Sequence, residues 1–198
     1  MSLPKLLLVG VAGWTALGLL GVSVSLARRE REKALRGLAW IGGVWMVYLI
    51  ALVTVSLMQP QRIIPMGQDQ CFDDMCFAVV GVEEVPGFLI RDGSRLVRVS
   101  VRVSNRGQGR PQSEGRMRPY VVDAQGRRWV ESTGVGGVRL TTRVAAGDSV
   151  VSEPVFKVAS DATGLELVFT RGWTQPGVLV IGDSDSWLHR RTVVKLGR

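Results

Sequence analysis

Histidine and cysteine are nearly absent from this chain: one His and two Cys stand among its 198 residues. That scarcity excludes a closed four-ligand zinc site, an iron–sulfur cluster or a dense disulfide framework built by the chain alone. Lysine is scarce too, with 4 Lys against 21 Arg, a bias that suits a GC-rich bacterial genome. There is no Gly-x-Ser-x-Gly elbow, no phosphate loop and no His-Glu-x-x-His pair, so the usual signatures of hydrolases and nucleotide enzymes are missing. What the chain does have is apolar length. Hydrophobic residues make up 46% of it, which excludes a disordered or collagen-like polymer.

From Leu6 to Ala27 no side chain is charged. As a helix rising ~1.5 Å per residue this run is about 33 Å long, enough to cross a hydrocarbon core of roughly 30 Å. A second uncharged run begins at Gly37 and continues to Gln59-Pro60. Between them stand Arg28, Arg29, Arg31, Lys33 and Arg36, against only Lys5 before the first run and Arg62 shortly after the second. The positive-inside rule then predicts a transmembrane hairpin over 1–58, with spans at about 6–27 and 37–58 and a cytoplasmic loop at 28–36. Both the N-terminus and the C-terminal domain lie on the extracytoplasmic side in this layout, which locates the protein in a bacterial inner membrane. A cleaved signal peptide ending near Ser25-Leu26-Ala27 is the rival, but the apolar run exceeds an ordinary signal core and cleavage would leave the Arg-rich segment outside. Helix-forming residues and the Glu32/Arg36 spacing suggest that the first helix continues before a turn near Gly37.

No ionisable residue interrupts either run, which argues against a channel or pump working alone. Small residues do recur at helical spacing: Ala12 and Ala16, Gly21 and Ser25, and Ala39 and Gly43. They permit close backbone approach, either between the two helices themselves or to another protein. Trp14 and Trp45 lie deeper than an interfacial belt would place them and need a partner for the indole N–H, which points to helix packing.

Residues 59–70 hold two prolines and no helical period, and read as an extended stem to a domain over 71–198. Cys71 and Cys76 open that domain; an even count outside the cytoplasm predicts a disulfide. Period-two alternation follows, clearest in Leu96–Ser104, where the valines face one way and Arg98, Ser100, Arg102 and Ser104 the other. Further strands are predicted at 77–82, 120–124, 138–144, 149–158, 165–170, 178–181 and 188–196. Turn chemistry at Asn105-Arg106-Gly107, Asp123-Ala124-Gln125-Gly126, Ala145–Asp148 and Ala162-Thr163-Gly164 separates them. The fold class expected is thus membrane-anchored all-β: a helical hairpin followed by an antiparallel sandwich.

The strings Leu96–Gly107, Tyr120–Trp129, Ala146-Gly147-Asp148, Pro154–Val158 and Leu165–Phe169 give the region 77–196 a further aspect. It resembles the telokin-like, immunoglobulin-like extracellular domain of bacterial lipoproteins and membrane-anchored proteins. The resemblance implies a β-sandwich displayed outside the membrane, with no catalytic residues to carry over. The chain departs from it in having a two-helix anchor rather than a lipobox.

Candidate sites are few. His189 lies among Asp183, Ser184, Asp185 and Ser186, too close in sequence for a triad, and reads as a surface or strand-end residue; Asp183 and Asp185 read as solvated turn carboxylates, lacking the rest of a calcium loop. Eight arginines fall between Arg91 and Arg118, and Arg95, Arg98, Arg102 and Arg106 suggest a basic facet for anionic lipid or an acidic partner, against the plainer reading of a solvated sheet face. No cofactor and no nucleic acid are expected. The function expected is a non-enzymatic accessory subunit of a membrane complex, respiratory or photosynthetic for example, with membrane lipids and integral membrane subunits as partners. The alternative is a membrane-tethered ligand-binding or envelope-sensing module.

Overall fold

The computed structural model describes residues 3–85, 93–132, 138–172, 176–183 and 186–197. It divides into two compact units, one comprising Met1–Pro60 with Thr174–Arg190 and the other Gln61–Trp173 with Arg191–Arg198.

In the first unit, α1 (Leu3–Ala27) and α2 (Arg31–Met58) form an antiparallel pair. Both are long and apolar enough to cross a membrane. The turn between them falls at Arg28–Glu30, not near Gly37. Arg29 takes a left-handed backbone (φ 61°), and the N–H groups of Arg28, Arg29 and Glu30 close onto Val24, Leu26 and Ser25 carbonyls. Arg31–Arg36, expected as loop, is the first part of α2. Thr174–Arg190, from the connection between two strands of the second unit, β9 (Glu166–Thr170) and β10 (Val193–Lys195), also belong to this unit and include a 3₁₀ turn, Pro176–Leu179.

The second unit is a two-sheet β-sandwich. One sheet has the order β1 (Ile63–Ile64), β10 (Val193–Lys195), β9 (Glu166–Thr170), β5 (Arg118–Val122), β6 (Arg128–Val130). The other has the order β2 (Gln70–Phe72), β3 (Met75–Glu84), β4 (Ser94–Asn105), β7 (Ser149–Ser152), with β8 (Val155–Ala159) also on β4. β4 is the spine: Val97, Val99, Val101 and Val103 are all but fully buried, and Arg98, Ser100, Arg102 and Ser104 alternate outward. Its first half pairs with β8 and its second with β7. The predicted strand 149–158 is therefore two strands, broken at Glu153-Pro154, where proline has no N–H for the ladder. Phe77, Phe156 and Phe169 meet in the core from both sheets.

Four further expectations change. Residues 61–70 are part of the sandwich rather than a free stem, since β1 pairs in parallel with β10 and Ile64 is buried. Val138–Val144 is irregular backbone that still supplies Leu140 and Val144 to the core, held by the Gln112↔Val144 bridge. Val178–Ile181 starts in the 3₁₀ turn and ends in a turn, and only Val193–Lys195 of 188–196 is strand, Leu188 being left-handed (φ 64°). Cys71 and Cys76 do form a disulfide, facing each other across β2 and β3. Closing so small a loop contributes about 2 kcal/mol in the chain-entropy model.

The turns follow the residues expected to make them. Buried Asn105 donates from Nδ2 to the Arg110 and Val144 carbonyls, and its Oδ1 accepts the Gly107 N–H. A Cβ on Gly107 would lie 2.6 Å from Gln112 Nε2, so a larger residue there would displace that side chain. Burial alone would raise the Asp123 carboxyl. Hydrogen bonds from the Arg127 side chain and from the backbone N–H groups of Arg127 and Gln125 outweigh burial and hold it below its ordinary value.

Candidate functional site

The helical unit carries the candidate surface, and its geometry starts from the seam between the helices. On α1 the inward positions are Leu8, Val11, Thr15, Gly18, Val22 and Ser25, spaced alternately three and four apart. On α2 they include Ala34, Gly37, Ile41, Val44 and Tyr48 at the same spacing. That is the a/d pattern of a helical pair. The close approaches lie at Gly18, whose missing Cβ would stand 3.0 Å from Ile41 Cδ1, and at Gly37, whose Cβ would stand 2.9 Å from Val22 Cγ2. Trp45 Nε1 donates to Thr15 Oγ1 at 3.0 Å, and that hydroxyl donates on to the Val11 carbonyl at 2.7 Å.

Of the eight predicted packing residues, Ser25 and Trp45 sit on this seam. Ala12, Trp14, Ala16, Gly21, Ala39 and Gly43 are exposed instead. A Cβ on Gly21 or Gly43 would meet nothing within 4 Å. Two open apolar grooves flank α2: one of about 550 Å³ lined by Arg36, Ala39, Trp40, Gly43, Val44 and Val47, the other of about 510 Å³ running from Gly42 to Thr54. The seam residues Gly18, Gly37 and Thr15 were missed by the sequence reading, although their three-four spacing was visible in it.

The second feature is the connection that lies on α2. The Tyr48 hydroxyl donates to the Leu179 carbonyl at 2.6 Å, and the Ser56 and Ser186 hydroxyls bond each other at 2.8 Å. Tyr48, Leu52 and Ser56, one turn apart, are all buried. His189 Nδ1 lies 3.3 Å from the Ser56 carbonyl oxygen, so this histidine fastens the connection to the helix. Expected as a surface or strand-end residue, it is half-buried. Ser184 and Asp185 lie outside the described residues. Among the described residues no group of three or more His, Cys, Asp or Glu side chains converges as a metal site.

The four arginines of the basic facet are paired with three acids. Arg95 pairs with Glu84, Arg98 with Glu83 at 2.7 Å, Arg102 with Asp69 at 3.3 Å, and Arg106 also with Asp69. Register explains this, because β3 runs antiparallel beside β4 and sets Glu83 opposite Arg98. Counting charges between 91 and 118 missed acids that arrive from a neighbouring strand and from residue 69. A further cation, Arg171, lies over the Phe72 ring and reaches Asp73 at 2.9 Å and Glu114 at 2.6 Å, tying the end of β9 to the β2–β3 turn.

No protein-family model and no curated protein matches the sequence. Solved structures similar to the β-sandwich come from bacteria. An uncharacterised β-sandwich protein of Clostridium difficile shares 11% identity, with 70% of this chain and 96% of that chain covered at a TM-score of 0.43. The secreted protein MPT63 of Mycobacterium tuberculosis shares 8%, covering 69% and 98% at 0.44. The yjhA protein of Bacillus subtilis shares 17%, covering 67% and 98% at 0.39.

Proposed function

We propose that this chain is a non-enzymatic accessory subunit of a larger bacterial membrane complex. In this reading α1 and α2 cross the inner membrane with the Arg-rich turn in the cytoplasm, and the sandwich, immunoglobulin-like in kind, stands on the extracytoplasmic side. The observation that carries it is the placement of small residues. The hairpin's own close approaches use Gly18 and Gly37, while Ala12, Ala16, Gly21, Ala39 and Gly43 are left on outward faces, Ala39 and Gly43 lining an open groove. Small residues on an outward face of a membrane helix admit a neighbouring helix backbone. A sensor that signals inward is less well supported, since the three-residue turn Arg28–Glu30 leaves no room for an output domain between the helices.

The test is extraction of native membranes in mild detergent, separation by size, and location of the chain by mass spectrometry. Co-migration with a defined set of integral membrane proteins is expected, and Gly43→Leu should reduce that co-migration several-fold while leaving the hairpin folded. Migration as a lone chain of 21.6 kDa plus detergent overturns the proposal.

A further inference from the structure

The β9–β10 connection does something that a surface loop between strands need not do: it lies along the apolar helix α2. Its Leu179 carbonyl is held by Tyr48, ten residues before the end of α2 at Met58 and so about 15 Å back along the axis at ~1.5 Å per residue. The uncharged part of α2 begins at Gly37, and a hydrocarbon core of roughly 30 Å counted from there ends near residue 57. Tyr48 falls well inside that length.

Irregular backbone at such depth is tolerated only where its polar groups are satisfied by protein. Here they are. Trp187 N–H donates to the Val178 carbonyl, Val180 N–H to Gly177, Ser186 N–H to Asp183 and His189 N–H to Ser186, while buried Tyr48 and Ser56 supply the side-chain bonds. The outward side of the same segment is apolar. Leu179 is 38% exposed, Trp187 41% and Leu188 50%, and Leu57 and Met58, which follow the Ser56 engaged by Ser186 and His189, are exposed too. Gly182 sits beside Gln59, just past the helix end, and Arg190 follows on the exposed side. An apolar tip with a tryptophan, satisfied backbone behind it and an arginine at its exit is the arrangement of an interfacial membrane contact.

We infer that residues 176–183 and 186–190 are a third membrane-contacting element, a loop seated on α2 that holds Leu179 in the hydrocarbon beside Tyr48 and sets Trp187 and Leu188, next to Ser56, at the headgroup–acyl boundary of the extracytoplasmic leaflet. The inference rests on the membrane-spanning reading above. The occupant of the patch is lipid: the exposed apolar residues stand by the exposed apolar end of α2, and the Tyr48 and Ser56 hydroxyls are consumed by the loop's attachment.

The experiment uses the full chain, with its native disulfide oxidised, reconstituted in phosphatidylcholine–phosphatidylglycerol vesicles and labelled with an environment-sensitive fluorophore at Leu188→Cys or, separately, at exposed mid-helix Val47→Cys. Nitroxide lipids with the quencher near the headgroup or deep in the acyl chain report depth. The Leu188 label is expected to be quenched at least twofold more by the shallow nitroxide than by the deep one, and the Val47 label by the deep one. Tyr48→Phe, which frees the Leu179 carbonyl, should weaken the Leu188 quenching while leaving that of Val47 unchanged. A Leu188 label unquenched by either lipid while Val47 is quenched overturns the inference alone. Neither label being quenched overturns the membrane-spanning reading and the inference with it. A Leu188 label shielded from both nitroxides and from aqueous iodide in native membranes means that a protein covers the patch, and overturns the lipid assignment.

Discussion

Helix α1 and strand β4 are both rich in apolar side chains, yet they dispose of them in opposite ways. Val22 is the single buried residue of α1, whereas in β4 every second residue from Val97 to Asn105 is buried. The strand's alternation assigns one face to a core and one to water, and the opposite sheet completes that core. Along α1 the apolar residues go all the way round, so a narrow seam toward α2 uses only part of them and the rest remain for another apolar medium. Burial within the chain is therefore the organising force of the sandwich, and length with freedom from charge is that of the helices.

The sharpest way to break the contrast is to remove an equivalent bulk from each. Phe77→Ala deletes a fully buried ring and should destabilise the sandwich by about 3–5 kcal/mol. Leu17→Ala, on an outward α1 position that is 70% exposed, should leave that unfolding transition unchanged. Urea titration of the full chain in mild detergent, followed by far-ultraviolet circular dichroism, distinguishes the two, and equal losses would erase the distinction.

A smaller effect tests whether the turns are held by side chains rather than by the sheet alone. Asn105→Ala removes the partner of the Arg110 carbonyl and of the Gly107 N–H, the Val144 carbonyl keeping the Gln112 N–H, and should cost about 1–3 kcal/mol by the same titration. Replacement without loss would mean that the β4 turn is secured by its backbone bonds.

The smallest expected effect is on pH dependence. Because the Asp123 carboxyl is held below its ordinary value in the folded chain, its contribution is present above the unfolded value near pH 4 and is lost as pH falls toward the folded one. Thermal melting between about pH 5 and 2 should show a shallower acid slope in Asp123→Asn than in the parent protein. Identical slopes would remove Asp123 from the account of acid stability.

Much of this was legible in advance because the signals are local. The alternation at Leu96–Ser104, the Asn105-Arg106-Gly107 and Asp123–Gly126 turns and the Cys71/Cys76 pair each depend on residues a few positions apart. The failures share the opposite property. Val138–Val144 has strand-like composition but makes only an isolated bridge, to Gln112. Val178–Ile181 has the apolar run of a strand, yet its deciding partner is Tyr48, which lies 131 residues away from Leu179. The arginines of β4 read as a free facet until the β3 register brings Glu83 and Glu84 alongside.

The sequence by itself determined that two helices with long uncharged runs precede a β-sandwich, that the cysteines pair and where the tight turns fall, because periodicity, charge and turn chemistry are properties of neighbouring residues. Only the tertiary structure decided which small residues face the helix seam and which face outward, that the β4 arginines are paired with acids, that the stem joins the sheet, and that the β9–β10 connection binds α2. Those outcomes depend on pairing across large separations, where a shift of one residue in register or a fraction of a helical turn sends a side chain to the opposite face.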